Sequence, residues 1–191
     1  MNICVYGASS DSISNTYKSA GEALGLALAQ HGHRLIFGGG GSGMMGAVAR
    51  GARKGGGEIY GVSPTFFNVD GVLYPDCTKM IFTETMRQRK ATMEKYADAF
   101  IVTPGSIGTF EEFFEILTLR QLDRHNKPIA ILNLNDYFRP ILDMIASSIE
   151  QKFMKPKSAE LCAWFRTPAE VLHYLETVTV PQVDPNELKY L

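Results

Sequence analysis

The sequence predicts an α/β protein: one Rossmann-like domain built on a doubly wound parallel sheet. Three observations carry this. Short apolar runs alternate along the chain with longer stretches of helical spacing. Several of those runs stop abruptly in glycine or small polar residues, as strands do where a loop turns into a helix. The length of 191 residues, with 45% hydrophobic and 20% charged, suits one domain with its own core. Strands alternating with helices close by right-handed crossovers, which makes the strands parallel and covers both faces of the sheet.

Taken in order, residues 3–7 read as a buried strand ending at Gly7. Residues 17–30 carry alanine and leucine at helical spacing, with Gly32 as the stop. Residues 34–37 are the next strand, running straight into Gly38-Gly39-Gly40-Gly41, and a helix follows over 43–54. Residues 58–62 are a strand, and 64–76 lack a period and read as irregular. A strand at 79–82 and a helix over 84–96 come next. The pattern then repeats more clearly: strand 99–103, helix 109–122, strand 128–133, helix 137–151. Thr167 caps a last helix and Pro168 fits its first turn. Residues 1–180 form the domain, and the proline-bearing stretch 181–191 reads as a loosely attached tail.

The bulk properties exclude several classes. A formal net charge of -1 leaves no electrostatic footprint for nucleic acid or membrane. No run approaches eighteen apolar residues, and residues 1–7 have no basic leader before an apolar segment. The three cysteines, Cys4, Cys77 and Cys162, are odd in number, form no CxxC pair and suit a reducing cytoplasm. His31, His33, His125 and His173 show no metal-ligand spacing beside carboxylates or cysteines, so no metal is expected. No organic cofactor is expected either.

In parallel sheets, ligands bind beyond the carboxyl ends of the strands. Three such ends are rich in glycine or small polar residues: 7–10, 38–46 and 104–109. Gly41-Ser42-Gly43-Met44-Met45-Gly46 is a literal G-x-G-x-x-G. It fits a dinucleotide fingerprint poorly, because it follows the second strand and the acidic residue at the right distance, Glu58, begins a strand. Four glycines exceed what a turn needs, so Gly40, Gly41 and Gly43 read as points where the backbone approaches a ligand. The loop Pro104-Gly105-Ser106-Ile107-Gly108-Thr109 opens a helix whose free N–H groups and dipole favour an anion, with Ser106 and Thr109 adding hydroxyls. A nucleotide-like phosphate ester fits there. Thr109 and Glu112 also have the spacing of a capping box, so Glu112 is either a cap or a functional carboxylate. Finally, Met86, Met93 and Ala97 share a helical face, with Arg89 and Lys90 on or beside it. Such a charge run is ordinarily solvated, or snorkels past the methionines, unless a phosphate or carboxylate lies near.

Together these residues resemble the LOG ("lonely guy") family of cytokinin-activating phosphoribohydrolases. That family carries an Arg-Lys pair in a helix and, about two dozen residues on, PGGxGTxxE. Here Arg89-Lys90 precedes Pro104 to Thr109, and Glu112 lies 23 residues beyond Arg89. The glycine run before Gly43-Met44-Met45-Gly46 and the Lys127-Pro128 pair also match, so the resemblance spans residues 1–151. It implies a doubly wound, usually dimeric protein. The implied reaction is hydrolysis of the N-glycosidic bond of a nucleoside 5′-monophosphate, AMP or a cytokinin nucleotide, to free base and ribose 5-phosphate. It implies catalytic roles for Arg89 and Glu112. Around the substrate it places Lys90, Gly108, Thr109 and Thr118, and Met86, Gly105, Ser106 and Ile107 are further candidates for contact with the substrate. Two departures stand out: Ser106 replaces the second glycine, and 64–76 offers no match to a glutamate found upstream in the family. The other readings are a non-catalytic nucleotide-binding or sensing protein, a dehydrogenase using the first glycine loop, and a lysine decarboxylase, for which no lysine stands out as a Schiff-base former.

Overall fold

Seven strands form the sheet: β1 (Asn2–Tyr6), β2 (Arg34–Phe37), β3 (Ile59–Pro64), β4 (Lys79–Thr83), β5 (Ala99–Val102), β6 (Ile129–Leu132) and β7 (Ala163–Phe165). In the computed structural model, which describes residues 1–182 and 184–188, they pair in the order β4-β3-β2-β1-β5-β6-β7. Every ladder between them is parallel. The helices are α1 (Asn15–Gln30), α2 (Gly43–Lys54), α3 (Met86–Tyr96), α4 (Ile107–Gln121), α5 (Arg139–Glu150), α6 (Pro168–Thr177) and the single turn α7 (Pro185–Leu188). No helix among the described residues is long and apolar enough to cross a membrane.

The side-chain period of two divides each central strand between two cores. Ile3 and Val5 of β1 point to the side packed by Leu24 and Leu28 of α1, Val48 of α2 and Val171 of α6. Cys4 and Tyr6 point to the other, against Met93 of α3 and Phe113, Ile116 and Leu117 of α4. Burial on both faces is why these strands read as nearly continuous apolar runs. The chain steps from β1 outward to β4, then returns beside β1 as β5 and steps the other way. Strand order therefore reverses between β1 and β5, which opens a crevice at their carboxyl ends.

Three details depart from expectation. Helix α4 starts at Ile107 with Ser106 as its N-cap, so Thr109 lies inside the first turn and is not a cap. The capping boxes that do form are Thr85 with Gln88 and Thr167 with Glu170. Strand β7 was not legible, because three residues are too few to show a period. Part of the expected loose tail is docked: Leu188 is buried, and Ser158 Oγ donates to its carbonyl at 3.2 Å. The rest of that tail, residues 183 and 189–191, lies outside the described residues.

Candidate active site

At the crevice the β1 and β5 loops are joined by Ala8 N–H donating to Pro104 O at 3.1 Å. Between them lies a cavity of about 190 Å³, lined by Ser9, Ser10, Ile13 and Tyr17 on one side and Gly105, Ser106 and Tyr137 on the other. Tyr137 OH donates to Gly105 O, and its ring meets Tyr17 edge-on at 6.2 Å. Ser106 makes no side-chain cap. The first-turn N–H groups of Ile107, Gly108 and Thr109 have no intrahelical acceptor, and the helix dipole points its positive end here. Ile107 and Gly108 are exposed and Thr109 is buried. Ser106 sits at φ -118, ordinary extended backbone, so serine in place of glycine carries no strain. It is Gly105 that has no room for a side chain: a Cβ there would lie 2.0 Å from Thr109 Oγ1.

Over the ends of β2 and β3, α3 and α4 bring together a buried ion pair. Arg89 Nη1 donates to Glu112 Oε1 at 2.7 Å, with the two side chains 8% and 10% exposed. Arg89 Nε donates to Val62 O at 3.1 Å, and Nη2 lies where a Cβ on Gly38 would be, 2.0 Å from that position. Arg89 is therefore neither solvated nor snorkelling, because the carboxylate of Glu112 draws it inward. Glu112 in turn is no cap, since its oxygen is taken by Arg89 six positions beyond the N-cap. Burial pushes the Glu112 carboxyl above its ordinary 4.5, and Arg89 opposes that shift. A partly desolvated, oriented carboxylate of raised basicity suits either a proton acceptor or an electrostatic partner for developing positive charge.

Other expected site residues fall in different places. Lys90 Nζ is held by Glu111 and Glu115. Met86, at the start of α3, is 40% exposed. Thr118 is exposed on α4, about 14 Å along the axis from Thr109, so one chain does not bring it to the loop. The glycine run is used within the chain. Gly40 bridges Leu73, and Gly41 N–H donates to Val72 O at 2.9 Å. Gly43, at φ +61, packs on the carbonyls of Ala8 and Ser10, and a Cβ on Gly46 would lie 2.0 Å from Gly41 O. These internal contacts give the glycines a structural reason, and nothing in them favours the dinucleotide reading. Sequence reasoning missed Gly38 and Val62 as supports for Arg89, and Tyr17 and Tyr137 as walls. All four are defined by tertiary contact alone.

Replacing Gly38 by alanine drives a methyl group into the Arg89 guanidinium, which the buried pair prevents from swinging away. Turnover is expected to fall by up to about a hundredfold, the cost of misplacing a catalytic group by an ångström, with a small loss of melting temperature. Steady-state kinetics beside a melting curve check this. An active Gly38→Ala protein would show that the Arg89 position is not critical.

Neither thiol chemistry nor a wider surface hollow competes for the role. Burial pushes the Cys162 thiol up to about 12 and the Cys77 thiol up to about 11. The hollow of about 480 Å³ lies at the opposite, N-terminal edge of the sheet. There Arg34 is paired with Glu58, and Asp98 accepts from Asn2 N–H at 2.7 Å.

Comparison with known proteins gives the family. A family profile described as "Possible lysine decarboxylase" matches residues 45–175. The chain is 34% identical over 174 residues to the cytokinin riboside 5′-monophosphate phosphoribohydrolase LOG3 of Arabidopsis thaliana, covering 91% of this chain and 81% of that protein. It is 40% identical over 141 residues to the cytokinin riboside 5′-monophosphate phosphoribohydrolase of Rhodococcoides fascians, covering 73% and 71%. Among solved structures, the molybdenum cofactor binding protein of the phototrophic bacterium Rippkaea orientalis superimposes with a TM-score of 0.71 over 92% of this chain and 96% of that one. At 19% identity that likeness is one of fold alone. With its profile match and these relatives, the chain belongs to the LOG family.

Proposed function

We propose that this protein hydrolyses the N-glycosidic bond of a nucleoside 5′-monophosphate, AMP or a cytokinin nucleotide, releasing the free base and ribose 5-phosphate. The observation that carries the reading is the buried Arg89–Glu112 pair, about one and a half turns along α4 from an uncapped helix start at Ser106. The 5′-phosphate takes the Ser106 hydroxyl and the N–H groups of Ile107, Gly108 and Thr109. The base enters the cavity walled by Tyr17 and Tyr137. Cleavage breaks the bond from C1′ to the base nitrogen and builds positive charge on the ribose. Glu112 stabilises that charge and accepts a proton from the attacking water, whose oxygen bonds to C1′, and that proton passes on to the departing base, which restores the carboxylate. Arg89 holds Glu112 ionised and aimed.

Decarboxylation has no matching lysine in the site. Burial works against the Lys90 ammonium, yet Glu111 and Glu115 hold its pKa above the ordinary value. A Schiff-base lysine needs the opposite shift.

The phosphate assignment is tested by calorimetry. AMP is expected to bind at least about tenfold tighter than adenosine, the gain from even one charge-assisted hydrogen bond. Equal affinities would remove the helix start from the site. Chromatography of a mixture with AMP is expected to show adenine and ribose 5-phosphate. Tight AMP binding without release of base would make the chain a nucleotide-binding protein. From the family resemblance we also infer a homodimer, for which light scattering should give twice the chain's 21.1 kDa. The three free cysteines fit a cytoplasmic setting.

A further inference from the structure

We propose that His31, His33 and Glu176 bind a divalent transition-metal ion of borderline softness, best represented by Zn2+, which clips the end of α6 to the turn between α1 and β2. The sequence pattern predicts no metal, because the two histidines lie 145 and 143 residues from the carboxylate and their spacing alone is not that of a ligand set. The fold nonetheless brings the three side chains together. His31 Nδ1 and His33 Nε2 each lie 2.8 Å from Glu176 Oε1, and the three ligand atoms fall within 4.8 Å of one another. Two imidazoles and a carboxylate are the donor set that Zn2+ accepts, whereas Mg2+ and Ca2+ prefer oxygen.

The ligand atoms start within 4.8 Å of one another, so none has far to move. Bonds of about 2.0–2.1 Å in a tetrahedral arrangement set donor atoms roughly 3.3 Å apart. The carboxylate oxygen therefore retreats by about half an ångström to admit the ion. The three side chains are 48%, 9% and 32% exposed, so an ion can reach them from solvent. The open coordination position faces a hollow of about 430 Å³ shared by His31, Glu176 and His173. His173 stands one turn before Glu176 on α6 and also lines that hollow. His33 Nδ1 lies 3.3 Å from the Met1 amino group, which orients the ring.

A second, independent observation points to a cation. The carbonyl ends of two helices converge here: His31 is the C-cap of α1, and Glu176 lies in the last turn of α6. The last turn of neither helix carries a basic residue. Helix C-termini favour positive charge, and a bound divalent ion supplies it to both at once. The site leads into the N-terminal end of β2, across the sheet from the edge that holds Ser106, Arg89 and Glu112. Its role is thus structural, joining α6 to α1, and it does not depend on the proposed reaction.

The test uses the untagged chain, stripped with EDTA and dialysed. Titration with ZnCl2 is expected to show one ion per chain. At a hundredfold excess over the dissociation constant the melting temperature should rise by about 5–10 °C. MgCl2 and CaCl2 should give no shift. His31→Ala and Glu176→Gln should lose the zinc shift while keeping the circular dichroism spectrum of the metal-free protein. No zinc-dependent shift in the wild type, a shift equally produced by Mg2+, or a shift unchanged in both variants would overturn the site. Adenine release by both variants is expected to match the wild type.

Discussion

Glu112→Gln is expected to slow the release of adenine from AMP by about a hundredfold or more, the scale on which loss of one electrostatic stabiliser of a transition state is felt. Glutamine keeps the side-chain shape and can still accept a hydrogen bond from Arg89, so the fold should hold. It cannot place a negative charge beside an oxocarbenium-like ribose or take a proton from water. AMP affinity should be unchanged or higher, because a carboxylate near a phosphate repels it in the ground state. Single-turnover release of adenine, with affinity measured separately, decides the matter. Equal rates in the two proteins would leave Glu112 a structural partner of Arg89 and nothing more.

The same residue sets a pH dependence. Burial, partly opposed by Arg89, raises the Glu112 carboxyl above 4.5. Activity requires the ionised form, so the acid limb of kcat/KM should lie above pH 4.5 and disappear from what remains in Glu112→Gln. Stability runs the other way. Between the unfolded value and the raised folded value the native protein binds that proton more tightly. Wild-type stability relative to Glu112→Gln is therefore highest below pH 4.5 and declines as pH rises through that window. Urea titrations at several pH values check the sign, and a difference that grows with pH would show the carboxyl to be depressed instead.

Most of the fold, and the residues of the candidate site, can be read from the sequence, for reasons that particular residues make plain. Strands such as β1 and β5 are buried on both faces, so their apolar runs and glycine ends mark them unmistakably. The sequence pattern starts α4 two residues late, because Ile107-Gly108 looks like loop: Ile107 is 83% exposed and Gly108 has no side chain. That small shift decides whether Glu112 is a cap, which shows why spacing alone left two readings open. The Arg89–Glu112 contact joins two helices across 23 residues and depends on a missing Cβ at Gly38 and a free carbonyl at Val62. No local pattern encodes it. The His31, His33 and Glu176 cluster is an extreme case, since it exists only once α6 has packed on α1.

Arg89→Ala is expected to abolish turnover and to destabilise the protein, and the two effects can be separated. Removing one partner of a buried pair leaves the other charge uncompensated, at a cost of about 3–5 kcal/mol. For a chain of this size that lowers the melting temperature by roughly 10 °C. Glu112 would then lose the charge that opposes its desolvation, so its carboxyl should rise further and favour the neutral form. An inactive Arg89→Ala protein alone would not distinguish lost chemistry from lost fold. The double variant Arg89→Met with Glu112→Leu does so, because replacing a buried pair by apolar side chains of similar size is close to neutral for stability. Its melting temperature should return most of the way to wild type, with no release of base. Its affinity for AMP should remain near that of the wild type, because the Arg89 guanidinium is committed to Glu112 and Val62 O. Affinity that collapses in the refolded double variant would instead place Arg89 on the phosphate, and activity that survives in it would remove the pair from the mechanism.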